Sequence, residues 1–151
     1  MVRDGRIVAD QGDVRLADFA PRLSERQQAL AIDLMDRIAA GGVEPPSLDE
    51  LAAAIGRPPA DLLAICRMLT RQGALVAVEP NRHYRPESVT ELTGRLSAGM
   101  VLDADYGPAE LREFLGLTRK FLIPFLEYCD REGFTTRNEL GRRRRGTKLA
   151  P

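Results

Sequence analysis

Apolar residues recur at helical spacing along most of this chain, and glycines and prolines punctuate them at regular distances. Leu30, Leu34 and Ile38 form one stripe, opened by Ser24 and Gln27 in capping-box spacing and closed by Gly41-Gly42. After Pro45-Pro46 a second helix is expected, with Ser47 and Glu50 again in capping spacing and Leu51, Ala54 and Ile55 inward. A tight turn at Gly56-Arg57-Pro58 leads into a third helix from about Pro59 to Gln72, whose Leu62, Ile65, Cys66 and Leu69 face one way. Gly73 stops it, and Ala74 to Val78 reads as a strand. Upstream of all this, residues 1–20 alternate loosely around Asp4-Gly5 and Gln11-Gly12-Asp13, the pattern of a short hairpin too small to stand alone.

The same signals return at an offset of sixty residues, where Glu50-Leu51, Gly56, Leu62 and Gly73 reappear as Glu110-Leu111, Gly116, Leu122 and Gly133. In the second copy, Pro86 to about Ala98 supplies a first helix through Val89, Leu92 and Leu96. A helix then ends at Gly116, Leu117-Thr118 makes the turn, and the next helix carries Phe121, Leu122, Phe125, Leu126 and Cys129. Pro124 should bend that helix near its start. Gly133 caps it, and Phe134-Thr135-Thr136-Arg137 opens a hairpin, with Tyr128 and Phe134 read as core. Helix, helix, tight turn, helix and a short strand pair is the helix-turn-helix pattern with a β wing. The expected fold is therefore mostly α with small β wings, arranged as two tandem winged-helix domains at 21–86 and 87–151. Residues 1–20 would be the remnant hairpin of a preceding module, or a linker.

Composition narrows the function classes. The 151 residues include 44% apolar and 29% charged side chains, which suits a folded, mostly helical protein. No run approaches the length of a membrane span and the start lacks an apolar signal core, so no membrane partner and a cytoplasmic location are expected. Cys66 and Cys129, the only cysteines, fall on apolar stripes and read as buried thiols, not as a disulfide or metal site. His83, between Arg82 and Tyr84, reads as a surface imidazole. No catalytic constellation, metal site or cofactor site can be assembled from this inventory, and no P-loop is present, so a binding protein is expected, not an enzyme.

Charge then points to a partner. The chain is formally neutral, yet from Arg119 onward nine basic residues face four acidic ones, an asymmetry suited to a polyanion. In helix-turn-helix modules the helix after the turn presents its first residues to nucleic acid. Here these are Thr118, Arg119 and Lys120. Two cations in a helix's first turn oppose its dipole unless a phosphate joins them, so Arg119 and Lys120 read as a phosphate seat. Arg137 and the run Arg142, Arg143, Arg144 and Arg145 would add the wing to one basic surface. The matching turn of the first copy, Arg57-Pro58-Pro59-Ala60-Asp61, lacks paired cations, which makes that module a spacer.

The segment from Leu115 through Thr118-Arg119-Lys120-Phe121 and Ile123-Pro124 to Tyr128, followed by Asp130-Arg131 and Thr136-Arg137, resembles the last winged-helix domain of the bacterial selenocysteine-specific elongation factor. Ala20-Pro21-Arg22-Leu23-Ser24 resembles the entry to the domain before it, so the likeness covers roughly residues 20–140 and makes the chain similar to a C-terminal fragment. One departure is visible: the family's wing returns as an apolar strand, and here it returns as four arginines. The resemblance implies a grip on the hairpin of a selenoprotein mRNA, with the ribosome and selenocysteyl-tRNA engaged indirectly through the full-length factor during UGA decoding. It places RNA contacts at Arg119, Lys120 and Arg137. A monomer is expected, since nothing reads as a dimerisation helix. The competing readings are a winged-helix DNA-binding regulator, separable by comparing duplex DNA with hairpin RNA, and a protein-interaction scaffold for which removing residues 141–151 would change no binding.

Overall fold

The computed structural model describes residues 23–149, and the hairpin expected over 1–20 lies outside them. The chain divides into two compact units, Met1–Leu30 and Ala31–Pro151. Helix α1 (Glu25–Ala40) starts behind Ser24, whose Oγ accepts from the Gln27 amide at 3.2 Å while the Gln27 side chain accepts from the Ser24 amide at 2.9 Å. That reciprocal cap was legible in the spacing. Within Ala31–Pro151 follow α2 (Leu48–Ile55), α3 (Pro59–Arg71) and an antiparallel pair, β1 (Val76–Glu79) with β2 (Arg82–Tyr84). Then come α4 (Pro86–Gly99), α5 (Pro108–Leu115), α6 (Arg119–Glu132) and a second antiparallel pair, β3 (Thr135–Arg137) with β4 (Arg143–Arg145). The chain is thus mostly helical with two small antiparallel sheets.

The sixty-residue repeat recurs as geometry. Ser47 and Glu50 close a capping box on α2, and Glu110 accepts from the Gly107 amide at 2.8 Å on α5. These backbone hydrogen bonds hold the carboxyls of Glu50 and Glu110 below the usual glutamate range. Gly56 and Gly116 end their helices with φ of 81° and 71°, a left-handed turn that glycine adopts without steric cost. The residues leading into α2 and α5 each add a bridge to the adjacent strand pair, Ser47 to Arg82 and Tyr106 to Arg143.

The main apolar cluster joins Leu92 and Leu96 of α4, Leu111 and Leu115 of α5, and Leu122, Phe125, Leu126 and Cys129 of α6. Val78 of β1 and Tyr84 of β2 belong to it as well, so the first strand pair packs into the core of the later helices. Arg131 Nη2 donates to the Val78 carbonyl at 3.0 Å and Ser88 Oγ to the Gly42 carbonyl at 3.0 Å, tying the same faces together. Both thiols are fully buried and unpaired, and burial pushes Cys66 up to about 11 and Cys129 up to about 12.

Two expectations are corrected. Ala54 is exposed and Ala52 is buried in its place, because the inward stripe of α2 runs through Leu48, Leu51, Ala52 and half-buried Ile55, the i, i+3, i+4, i+7 series that leaves out Ala54. His83 is not a surface imidazole but only 4% exposed. All three residues of β2 are buried, since Tyr84 enters the core and Arg82 is drawn inward by Glu79 and the Pro45 carbonyl. Burial lowers the His83 pKa from the ordinary histidine value, and its Nδ1 has no partner among the described residues. Pro124 sits inside α6, which nonetheless begins at Arg119.

Candidate nucleic-acid interface

Leu117, 2% exposed, anchors the turn between α5 and α6 and so fixes where α6 begins. Its N-cap, Thr118, has extended backbone, and its hydroxyl caps no amide of the helix. The first turn holds no acidic residue. Phe121 and Leu122 both donate to the Thr118 carbonyl at 3.0 Å, while the amides of Arg119 and Lys120 have no backbone acceptor, as the start of any helix requires. Arg119 is exposed and lines a cleft of about 280 Å³ with Pro108, Ala109, Arg112, Leu122 and Ile123. Lys120 diverges from it. Its Nζ lies 3.6 Å from Glu50 Oε2 and 5.6 Å from the centre of the Phe121 ring, because neighbouring residues of a helix point about 100° apart. The adjacent cations of the sequence are therefore split, one towards the α5 cleft and one towards an acid of α2.

Strand alternation splits the arginine run in the same way. Arg143 is 3% exposed and grips Asp130 of α6, Nε to Oδ1 at 3.0 Å and Nη2 to Oδ2 at 2.9 Å, and Thr135 donates to that carboxylate at 2.6 Å. Arg145 Nη1 donates to the carbonyls of Ser97 and Met100 at the end of α4, at 2.9 and 2.7 Å. Both side chains hold the wing against the helices. Arg142 and Arg144 lie on the other face, roughly half exposed. Arg142 Nη2 reaches Glu110 Oε1 at 3.1 Å and the Asp105 carbonyl at 2.8 Å, and Arg144 Nε reaches Asp105 Oδ1 at 2.9 Å.

The first turn of α5 links these groups. Arg119 lies along Pro108 and Ala109, and Arg142 engages Glu110 of the same turn, so both arginines lie beside the start of α5. The wing turn is set by Asn138, whose Oδ1 accepts from the amides of Leu140 and Arg142 at 2.9 and 3.0 Å. Arg137 is exposed beside Gly141 at that turn. Neither Arg119 nor Arg137 forms an ion pair among the described residues. Sequence reasoning missed Arg112, which joins Arg119 in the cleft, and the acids Asp105 and Glu110 that orient the wing arginines. Asp105 gave no signal, because its partners lie 37 and 39 residues away.

Such a surface offers guanidinium groups and open helix amides to phosphates beside a shallow apolar cleft. Residues 104–144, which hold all of it, match the family model for the winged helix of elongation factor SelB. This segment is similar to the SelB winged helix. Over 137 residues the chain is 28% identical to the selenocysteine-specific elongation factor of Desulfomicrobium baculatum, and over 142 residues 32% identical to that of Escherichia coli K12. Each alignment takes in 91% of this chain and 22% of the relative, so the chain spans about a fifth of those factors. In structure it is similar to the mRNA-binding domain of E. coli SelB solved in complex with SECIS RNA. The TM-score is 0.66 at 28% identity, covering 82% of this chain and 99% of that one. The matched segment carries Arg119, Lys120, Arg137 and Arg142 to Arg144, with Arg145 just beyond it.

Proposed function

We propose that this chain binds a folded mRNA hairpin of the SECIS type, and that residues 21–86 and 87–151 do so as tandem winged-helix modules, the first a spacer and the second the grip. The observation that carries the reading is the exposed Arg119 at the start of α6, without an ion pair among the described residues, in a segment matched to the SelB winged helix and in a chain similar to a domain held on SECIS RNA. Arg119 and Arg137 make the primary phosphate contacts, Arg142 and Arg144 extend them along the wing, and Lys120 joins on exchanging Glu50 for a phosphate. Arg143 and Arg145 position the wing from within. Phosphate contacts set the register, and specificity comes from bulged or loop bases that a duplex does not present. In a whole selenocysteine-specific elongation factor this grip would couple a message to selenocysteyl-tRNA at the ribosome, with GTP hydrolysis located elsewhere in the factor.

Electrophoretic mobility of the chain with SECIS hairpin RNA, against duplex DNA of equal length, tests the reading. Retention of the hairpin at concentrations that leave the duplex unbound is expected. Equal or stronger retention of the duplex would contradict it and support a DNA-binding regulator.

A further inference from the structure

The start of α6 already has an anionic tenant. Glu44, in the turn after α1, accepts the Thr118 amide at 2.8 Å and the Thr118 hydroxyl at 3.0 Å, both through Oε2. An N-cap threonine ordinarily turns its oxygen inward to accept an amide of the first turn. Thr118 instead donates outward, across 74 residues of sequence, to this carboxylate. Close by, Glu50 holds Lys120. Because α6 has no acid in its own first turn, the carboxylate that meets its start among the described residues is Glu44, with Glu50 engaging the Lys120 side chain beside it. The contacts with Thr118 and Lys120 are solvent-exposed, so an arriving anion can compete for them.

We propose that Glu44, assisted by Glu50, is an autoinhibitory carboxylate that an RNA phosphate must displace from Thr118. The inference rests on the RNA-binding reading above. Removing the carboxylate charge removes the competitor, while glutamine keeps an oxygen that accepts from Thr118.

The test is fluorescence anisotropy of a fluorescein-labelled SECIS hairpin titrated with the full 151-residue chain and its Glu44→Gln variant at one salt concentration. The variant is expected to bind roughly twofold to fivefold tighter, the scale of one exposed charge contact. Equal or weaker binding by the variant, alongside binding by the unmodified chain, overturns the competition and leaves the RNA reading standing. No hairpin binding by the unmodified chain overturns the RNA reading and this inference with it. A second measurement needs no substitution: the NMR signals of the Thr118 amide and the Glu44 carboxyl carbon should shift as RNA is added. Unmoved Glu44 and Thr118 signals at saturating RNA would overturn the displacement.

Discussion

Arg142 to Arg145 are four identical side chains in a row, yet the strand that carries them sends alternate members to opposite surroundings, and their energetic roles follow from that. Arg143 satisfies a carboxylate with little exposure to water, so truncating it strands Asp130. Arg143→Ala should destabilise the chain by about 3 kcal/mol in urea unfolding. Arg137→Ala, at an exposed position, should stay within about 0.5 kcal/mol of the parent. Similar losses for both would contradict the assignment of one to the framework and the other to the surface. The run was legible as charge. Its division was not, because it depends on where β4 begins and on Asp130 lying opposite Arg143, which only the folded chain defines. His83 shows the same limit, since its charged neighbours suggest a surface while Tyr84 next to it draws the strand into the core.

At the scale of elements, local chemistry was read more fully. The caps at Ser24 and Ser47, the left-handed glycines and the inward stripes of α3, α4 and α6 all follow from local signals in the sequence. On the eight-residue α2 the stripe starts at Leu48 and so takes in Ala52 in place of Ala54. The turn into α6 is the element on which the interface depends. Gly116 has open space around its missing side chain, the nearest atom being Arg95 Nη1 at 3.7 Å, so a substitution there meets strain from φ and not from crowding. Gly116→Ala should therefore cost about 1 to 2 kcal/mol, measured as a lowered Tm. An unchanged Tm would mean that the left-handed turn is not required.

Across the molecule, a neutral chain has sorted its charge so that the basic excess lies from Arg119 onward, and part of that excess is matched by acids of the same chain. The repeat and the basic end were visible in the sequence. The burial of Val78 and Tyr84 among the later helices, and the reach of Glu44 and Glu50 to α6, were not, because pairings between distant segments leave no periodic trace. The proposed RNA binding rests on Arg119 and Arg137 meeting phosphates. Its most direct test is the affinity of the Arg119→Ala/Arg137→Ala chain for the SECIS hairpin across a salt series, with Tm measured on the same samples. At unchanged Tm, affinity should fall at least about tenfold and the slope of log affinity against log salt should shrink by roughly 0.9 for each phosphate no longer neutralised. Parental affinity and slope in the double variant would contradict that role for the two arginines.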